Sequence, residues 1–237
     1  MKTVSPRRPS LQEVAYTRLR DAIRDGMLEP NARLRETEIA SWLKMSRTPV
    51  RDALRRLTVE GLLAPKENRG VVVAALDYQA VSELYSMREA LDGTAAAMAA
   101  RRVSPAEVAA LQDIIQAETL TKSPRLLQQI NRRFHKALYQ SAHNRFLLRS
   151  ASTIDDVLFL LDQATYEAAF RTTTLSNPDR PETAHREHVR IVKAIEEGDE
   201  HLAEEAARAH VRSAHRERLR VMHEAVRHAT EATGTLK

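Results

Sequence analysis

Apolar residues recur at helical spacing along most of the chain, and the rhythm breaks at caps, turns and glycines. In SLQEVAYTRLRDAIRDGML, Leu11, Val14, Leu19, Ile23 and Met27 lie near the helical period, Ser10 and Glu13 form a capping box, and Gly26 closes the segment. LEPNARL reads as a turn, in which Asn31 after Pro30 tolerates a left-handed conformation. RETEIASWLKM predicts a short second helix with Ile39, Ala40 and Leu43 inward. SRTPVRDALRRLTVEGLL predicts a third, ending at Gly61 and burying Val50, Ala53, Leu54 and Leu57. The pattern then changes. LLAPKENRGVVVAAL has two β-type runs around a short basic turn with a glycine, the signal of a hairpin, and strands are expected there alone.

From Asp77 onward the period is helical again. DYQAVSELYSMREALDGTAAAMAARR places Val81, Leu84, Leu91 and Ala95 on one face. Ser104 to Glu107 is a second capping box with Pro105 at the first helical position. A helix over SPRLLQQINRRFHKALYQSAHN ends at Asn144, and a long segment follows from Arg145 to about Arg171. After the loop TTTLSNPDRPE, helices run from Glu182 to Glu197 and from Asp199 to about His228, separated by Gly198. The expected fold is therefore mainly α: a flexible tail over 1–9, a winged helix-turn-helix of three helices and a hairpin wing over 10–76, an all-helical antiparallel bundle over 77–229, and a tail over 230–237.

Composition agrees with a helix-rich globular chain: 43% hydrophobic residues, 29% charged and only 6 glycines in 237 residues. No apolar run nears the ~20 residues of a membrane span, and MKTVSPRRPS lacks the apolar centre of a secretory signal, so a soluble cytoplasmic protein without membrane contact is expected. The absence of cysteine excludes disulfides and thiolate metal sites, leaving His, carboxylate and amide ligands. Charge is unevenly placed. Residues 1–75 hold 15 Lys and Arg against 9 Asp and Glu, and the remainder is nearly balanced. A local cationic excess on a small module suits a phosphate backbone, although basic faces are also often merely solvated.

Two groups of residues suggest chemistry. In a helix-turn-helix the second helix of the motif enters the major groove head first. That places Arg47 in the turn before the helix, Thr48 at its cap and Arg51 one turn in, where arginine's planar fork matches O6 and N7 of guanine. Arg69 would sit at the tip of the wing, within reach of a minor groove. Alternatively, Arg47 and Arg51 form ordinary surface ion pairs, Arg51 for instance with Glu38. In the second half, Asn131 and His135 stand four apart beside Ile130, Phe134 and Leu138, His188 shares a face with Val192 and Ile195, and His210 follows Leu202 and Ala206. Three histidines thus point inward from three helices. Each could be a core histidine bonded to a carbonyl or carboxylate, or together they could hold a divalent cation. The other six histidines read as surface or loop residues.

The residues LRETEIA, SRTPVRDALRRL, EGLL and NRGVVV together resemble the DNA-binding domain of GntR-family bacterial transcription regulators. The helical half, with FH, EHVRIVKAIEEGD and ARAHV, is similar to the FCD ligand-binding domain of the FadR-type subgroup. The resemblance implies that Arg47, Thr48 and Arg51 contact double-stranded operator DNA with Arg69 and Gly70 assisting. It also implies that Asn131, His135, His188 and His210 ligate a divalent metal, and that Arg88 faces the effector. Zinc or nickel suits imidazole best, with manganese or iron also admissible. A neutral ligand set would leave the cation seeking an anion, hence a small organic acid. The function read from the sequence is a homodimeric regulator, a repressor released by a carboxylate metabolite, and not an enzyme. The alternatives are a metal-dependent helical enzyme fused to a nucleic-acid module, and a helical dimerisation module with no ligand.

Overall fold

The structure, a computed structural model, describes residues 9–66, 70–75, 77–155, 157–158, 177 and 179–234. The chain divides into two compact units, Met1–Leu76 with Asp155–Glu167 and Asp77–Ile154 with Ala168–Lys237.

The first unit contains α1 (Leu11–Arg24), β1 (Arg33–Leu34), α2 (Glu36–Leu43), α3 (Arg47–Val59), β2 (Leu63–Lys66) and β3 (Gly70–Val73). The Ser10–Glu13 capping box closes the start of α1 in both directions. Its buried stripe is Ala15, Tyr16, Leu19, Ala22 and Ile23, while Leu11 and Met27 are exposed. Leu11 precedes Leu19 by eight residues, which on a helix turns it about 80° off the buried face, and Met27 lies past the helix end. These helices and the sheet share one core, in which Leu19, Val50 and Leu57 are sealed.

Strands are not confined to the hairpin. β1 pairs antiparallel with β3, Arg33 opposite Val72 and Leu34 opposite Val71, giving the order β1-β3-β2. A two-residue strand is too short for alternation to reveal, and its partner lies far along the chain. Asn31 and Lys44 both take positive φ, 67° and 54°. Lys44 thereby ends α2 in a left-handed cap, a place usually given to glycine.

The second unit is helical among the described residues: α4 (Tyr78–Arg102), α5 (Pro105–Thr119), α6 (Pro124–Ser141), α7 (beginning at 145, with 145–154 in this unit), α8 (Arg180–Glu196) and α9 (Glu200–Gly234). The Ser104–Glu107 box with Pro105 starts α5. Asn144 accepts from the backbone N–H of Phe146 and Leu147 and so opens α7 rather than closing α6. Residues 159–176, where the long segment to Arg171 was expected to end, lie outside the described residues.

The α4 stripe differs from expectation. Its buried residues are Val81, Tyr85, Arg88, Asp92, Gly93, Ala95, Ala96, Ala99 and Ala100, with Leu84 and Leu91 only half-buried. Alanines let neighbouring backbones approach closely, and two opposite charges sit within this face. Phe134, Leu138, Ile191, Ile195 and Leu111 complete the core. Among the described residues no helix is long and apolar enough to cross a membrane.

Candidate metal centre and nucleic-acid interface

α6, α8 and α9 each turn one histidine into the core of the helical unit. His135, His188 and His210 are all buried, and one candidate ligand atom from each lies within 4.8 Å of the others. The ring centroids of His188 and His210 are 4.5 Å apart, and Nε2 of His210 lies 3.4 Å from Nε2 of His135. Phe134 stacks on His188 with centroids 4.0 Å apart, covering it from one side.

Each imidazole has a carboxylate behind it, within hydrogen-bond geometry for His188 and His210 and at ion-pair distance for His135. Nδ1 of His135 lies 3.1 Å from Oδ2 of Asp92, Nδ1 of His188 is 2.7 Å from Oε1 of Glu118, and Nδ1 of His210 is 2.9 Å from Oε2 of Glu187. A carboxylate accepts and cannot donate, so the proton belongs on Nδ1 and a lone pair is left on Nε2. Two such lone pairs face each other at 3.4 Å, and Nε2 of His188 is buried without a hydrogen-bond partner among the described residues. That arrangement is repulsive by itself. A cation among the three nitrogens removes the conflict, and carboxylates on the far nitrogens are the outer support that metal-bound imidazoles use. The donor set therefore fits a divalent metal ion.

Burial, with the positive charge of Arg88 adding to it, pushes His135 down to about 4, against the opposing pull of Asp92. Burial and the neighbouring imidazoles likewise hold His210 well below its ordinary value, although Glu187 opposes them. Both rings are neutral at pH 7, the state a metal requires. Burial alone would raise Asp92, but Arg88, His135 and Tyr139 outweigh it and bring the carboxyl to about 2.

Asp92, Glu118 and Glu187 were not singled out in the sequence; they leave the expected ligand set itself neutral and add negative charge behind it. Asp92 was the most accessible of the three, standing one turn after Arg88 on a face that continues through Ala95 and Ala99. Tyr139 donates to its Oδ1 at 2.5 Å, and Nε of Arg88 lies 3.6 Å from its Oδ2. Arg88 is thus buried against an acid of its own helix rather than exposed. Asn131 is half-buried one turn before His135. His185, expected on the surface, is half-buried with Nδ1 2.9 Å from Oε2 of Glu118. His215 is half-buried too, stacked on Tyr85.

In the first unit, α3 exposes Arg47, Thr48, Arg51 and Arg55 along one stripe and buries Pro49, Val50, Ala53, Leu54 and Leu57. Ser46, not Thr48, occupies the cap position, so Arg47 and Thr48 are the first two helical residues. Arg47 and Arg51 converge on Glu36 rather than Glu38, which pairs with Arg35. Arg56 points elsewhere, bonding Glu60 and covering the ring of Tyr16 at 3.6 Å. Gly70 opens β3 opposite Lys66. Arg69 lies outside the described residues.

Two family models match the chain: bacterial regulatory proteins of the gntR family over residues 11–73, and the FCD domain over residues 83–213. The chain is 34% identical to the Nta operon transcriptional regulator of Aminobacter aminovorans over 129 residues, 54% of this chain and 61% of that one. It is 31% identical over 192 residues, 80% of each chain, to a protein of Paenarthrobacter nicotinovorans named as a D-xylose utilization operon transcriptional repressor. A GntR transcriptional regulator from Rhodococcus sp. RHA1 superposes with a TM-score of 0.70 at 23% identity, over 89% of this chain and 98% of that one. These families and relatives are transcription regulators, not enzymes.

Proposed function

Since the chain belongs to the GntR family of bacterial transcription regulators and pairs that DNA-binding domain with an FCD domain, we propose that it is a cytoplasmic, homodimeric repressor whose grip on operator DNA is set by a small carboxylate bound at a metal centre. The observation that carries this reading is the meeting of three carboxylate-fixed imidazoles with their Nε2 lone pairs unused. His135, His188 and His210 would hold the ion, with Asn131 as a fourth ligand one turn before His135. Imidazole-rich surroundings favour zinc or nickel, with manganese or iron admissible.

The charges around the centre support an anionic effector. Asp92 faces Arg88 and Glu187 faces Arg180, while Glu118 meets the imidazoles of His185 and His188, so one negative charge is in excess. A divalent cation would bring the centre to one positive charge, which a single carboxylate neutralises. Arg88, already inside the core, would divide its donors between that carboxylate and Asp92. A ligand that binds one helix arrangement more tightly shifts the population toward it, and with it the presentation of the DNA-binding modules to two half-sites.

On the DNA side, Arg47, Thr48 and Arg51 would enter the major groove, with Arg69 and Gly70 of the wing beside it. The test is elemental analysis of protein purified without chelator, followed by calorimetric titration with a panel of short carboxylic acids before and after chelation. The reading requires metal near one ion per chain and carboxylate binding that chelation removes. Full carboxylate binding by the metal-free protein would reject it.

A further inference from the structure

One carboxylate holds both arginines of the reading helix. Oε1 of Glu36 accepts from Nε of Arg51 at 2.7 Å, and its Oε2 accepts from Nη2 of Arg51 and Nη2 of Arg47, each at 3.1 Å. Glu36 belongs to the first turn of α2, while the two arginines stand one turn apart at the head of α3. Both arginine side chains remain about 60% exposed, whereas that of Glu36 is the more covered at 27%. The carboxylate therefore reaches the arginines from behind, and their outer edges stay open.

We propose that Glu36 is a specificity-determining residue, which positions Arg47 and Arg51 for base reading and withholds their charge from phosphate. This inference rests on the reading that α3 binds DNA. The donor inventory permits it. A guanidinium has five N–H donors, and the bonds to Glu36 use two of Arg51 and one of Arg47, so enough remain for the O6 and N7 of a guanine. Holding two long side chains in place reduces the freedom they lose on contact, which matters for arginine because its rotamer entropy is large.

Charge gives the second half of the argument. Without Glu36 the pair would present two positive charges to any nearby phosphate, whatever the sequence. With it the trio presents one. Phosphate attraction is the sequence-independent part of affinity and base contact the selective part, so this carboxylate lowers the first while preparing the second.

The experiment compares wild type with Glu36→Gln, which keeps the side chain's shape and removes its charge. Fluorescence anisotropy would measure binding to a random-sequence duplex and to a duplex selected in vitro by the wild-type protein, over a salt series. Circular dichroism verifies that the variant is folded. The expected result is tighter binding to the random duplex and a salt slope steeper by about 0.9 per DNA-binding module, so a fourfold rise in salt costs roughly threefold more affinity per bound module than in wild type, about tenfold for a dimer with both modules on the duplex. The ratio between selected and random duplex should fall about tenfold, the equivalent of one weakened bidentate contact. In a background of Arg47→Ala and Arg51→Ala the same substitution should change neither quantity.

An unchanged slope and ratio, or weaker binding to both duplexes, overturns the proposal. So does a slope shift that persists without the two arginines, since Glu36 would then act on DNA directly. Failure of wild type to bind either duplex would instead remove the DNA reading on which the proposal rests.

Discussion

Oδ2 of Asp92 lies 3.1 Å from Nδ1 of His135, and both side chains are sealed from solvent. The same oxygen lies 3.6 Å from Nε of Arg88, and Tyr139 donates to the other. One carboxylate thus compensates a buried guanidinium and fixes the tautomer of a candidate ligand.

Asp92→Asn separates these roles from mere packing, since it changes almost no volume. It removes the carboxylate charge that faces Arg88 in the core, and breaking a buried pair costs about 3 kcal/mol. Support behind a metal-bound imidazole contributes roughly 10–100-fold in affinity. Denaturant melts should show the lower stability, and competition against a calibrated chelator the weaker metal binding. Wild-type values in both would mean that the contact is incidental.

On the proposed metal centre, removing the ion should destabilise the helical unit, because the unfolded chain cannot assemble His135, His188 and His210. At free metal a hundredfold above Kd the stabilisation is about 2.7 kcal/mol. Thermal melts with and without chelator should differ for wild type, and His188→Ala should abolish the difference together with the bound metal. A variant that keeps its full metal content would exclude this centre.

The sequence exposed the three histidines because each stands among apolar residues at helical spacing: His135 beside Phe134 and Leu138, His188 before Val192 and Ile195, His210 after Ala206. Their carboxylates were much harder to find. Arg88 and Asp92 four residues apart read equally well as a solvent-facing pair, and the Ala-rich stretch after them says little about which way α4 turns. The buried face is decided by what packs against α4, which periodicity within one helix does not contain. Glu118 lies near the end of α5, and its contact with His188 depends on where α8 passes. The same limit hid β1, whose two residues are a strand only because β3 lies beside them. The three helices and the hairpin of the first unit were legible because their caps and glycines are local signals: Ser10 with Glu13, Gly61, and the turn before Gly70.

Arg51→Ala and Arg47→Ala should each reduce discrimination between operator and scrambled duplex without unfolding the protein. Both side chains are exposed, so the core of the first unit is untouched. Loss of a bidentate guanine contact is worth about 1–3 kcal/mol of discrimination. Gel-shift titrations against both duplexes measure it. Wild-type selectivity in both variants would show that the exposed stripe of α3 does not read bases.

His215 offers a test of buried polarity away from the candidate metal centre. Its ring stacks on Tyr85 with centroids 4.9 Å apart and planes at 11°, and its Nε2 is buried without a hydrogen-bond partner among the described residues. Burial lowers its pKa from the ordinary 6.5, and the charge of Glu89 only partly opposes the shift. The sign of the linkage follows: below 6.5 the unfolded chain takes up a proton on this residue before the folded one does. Stability contributed by the neutral ring is therefore intact above 6.5 and is lost as pH falls through the folded value. Phenylalanine keeps the stack and removes both the buried nitrogen and the titration. His215→Phe should raise stability by about 1 kcal/mol, and by more under mildly acidic conditions than at pH 8. Urea melts of metal-free protein across that range provide the comparison, and parallel pH profiles for the two proteins would show that His215 does not titrate against folding.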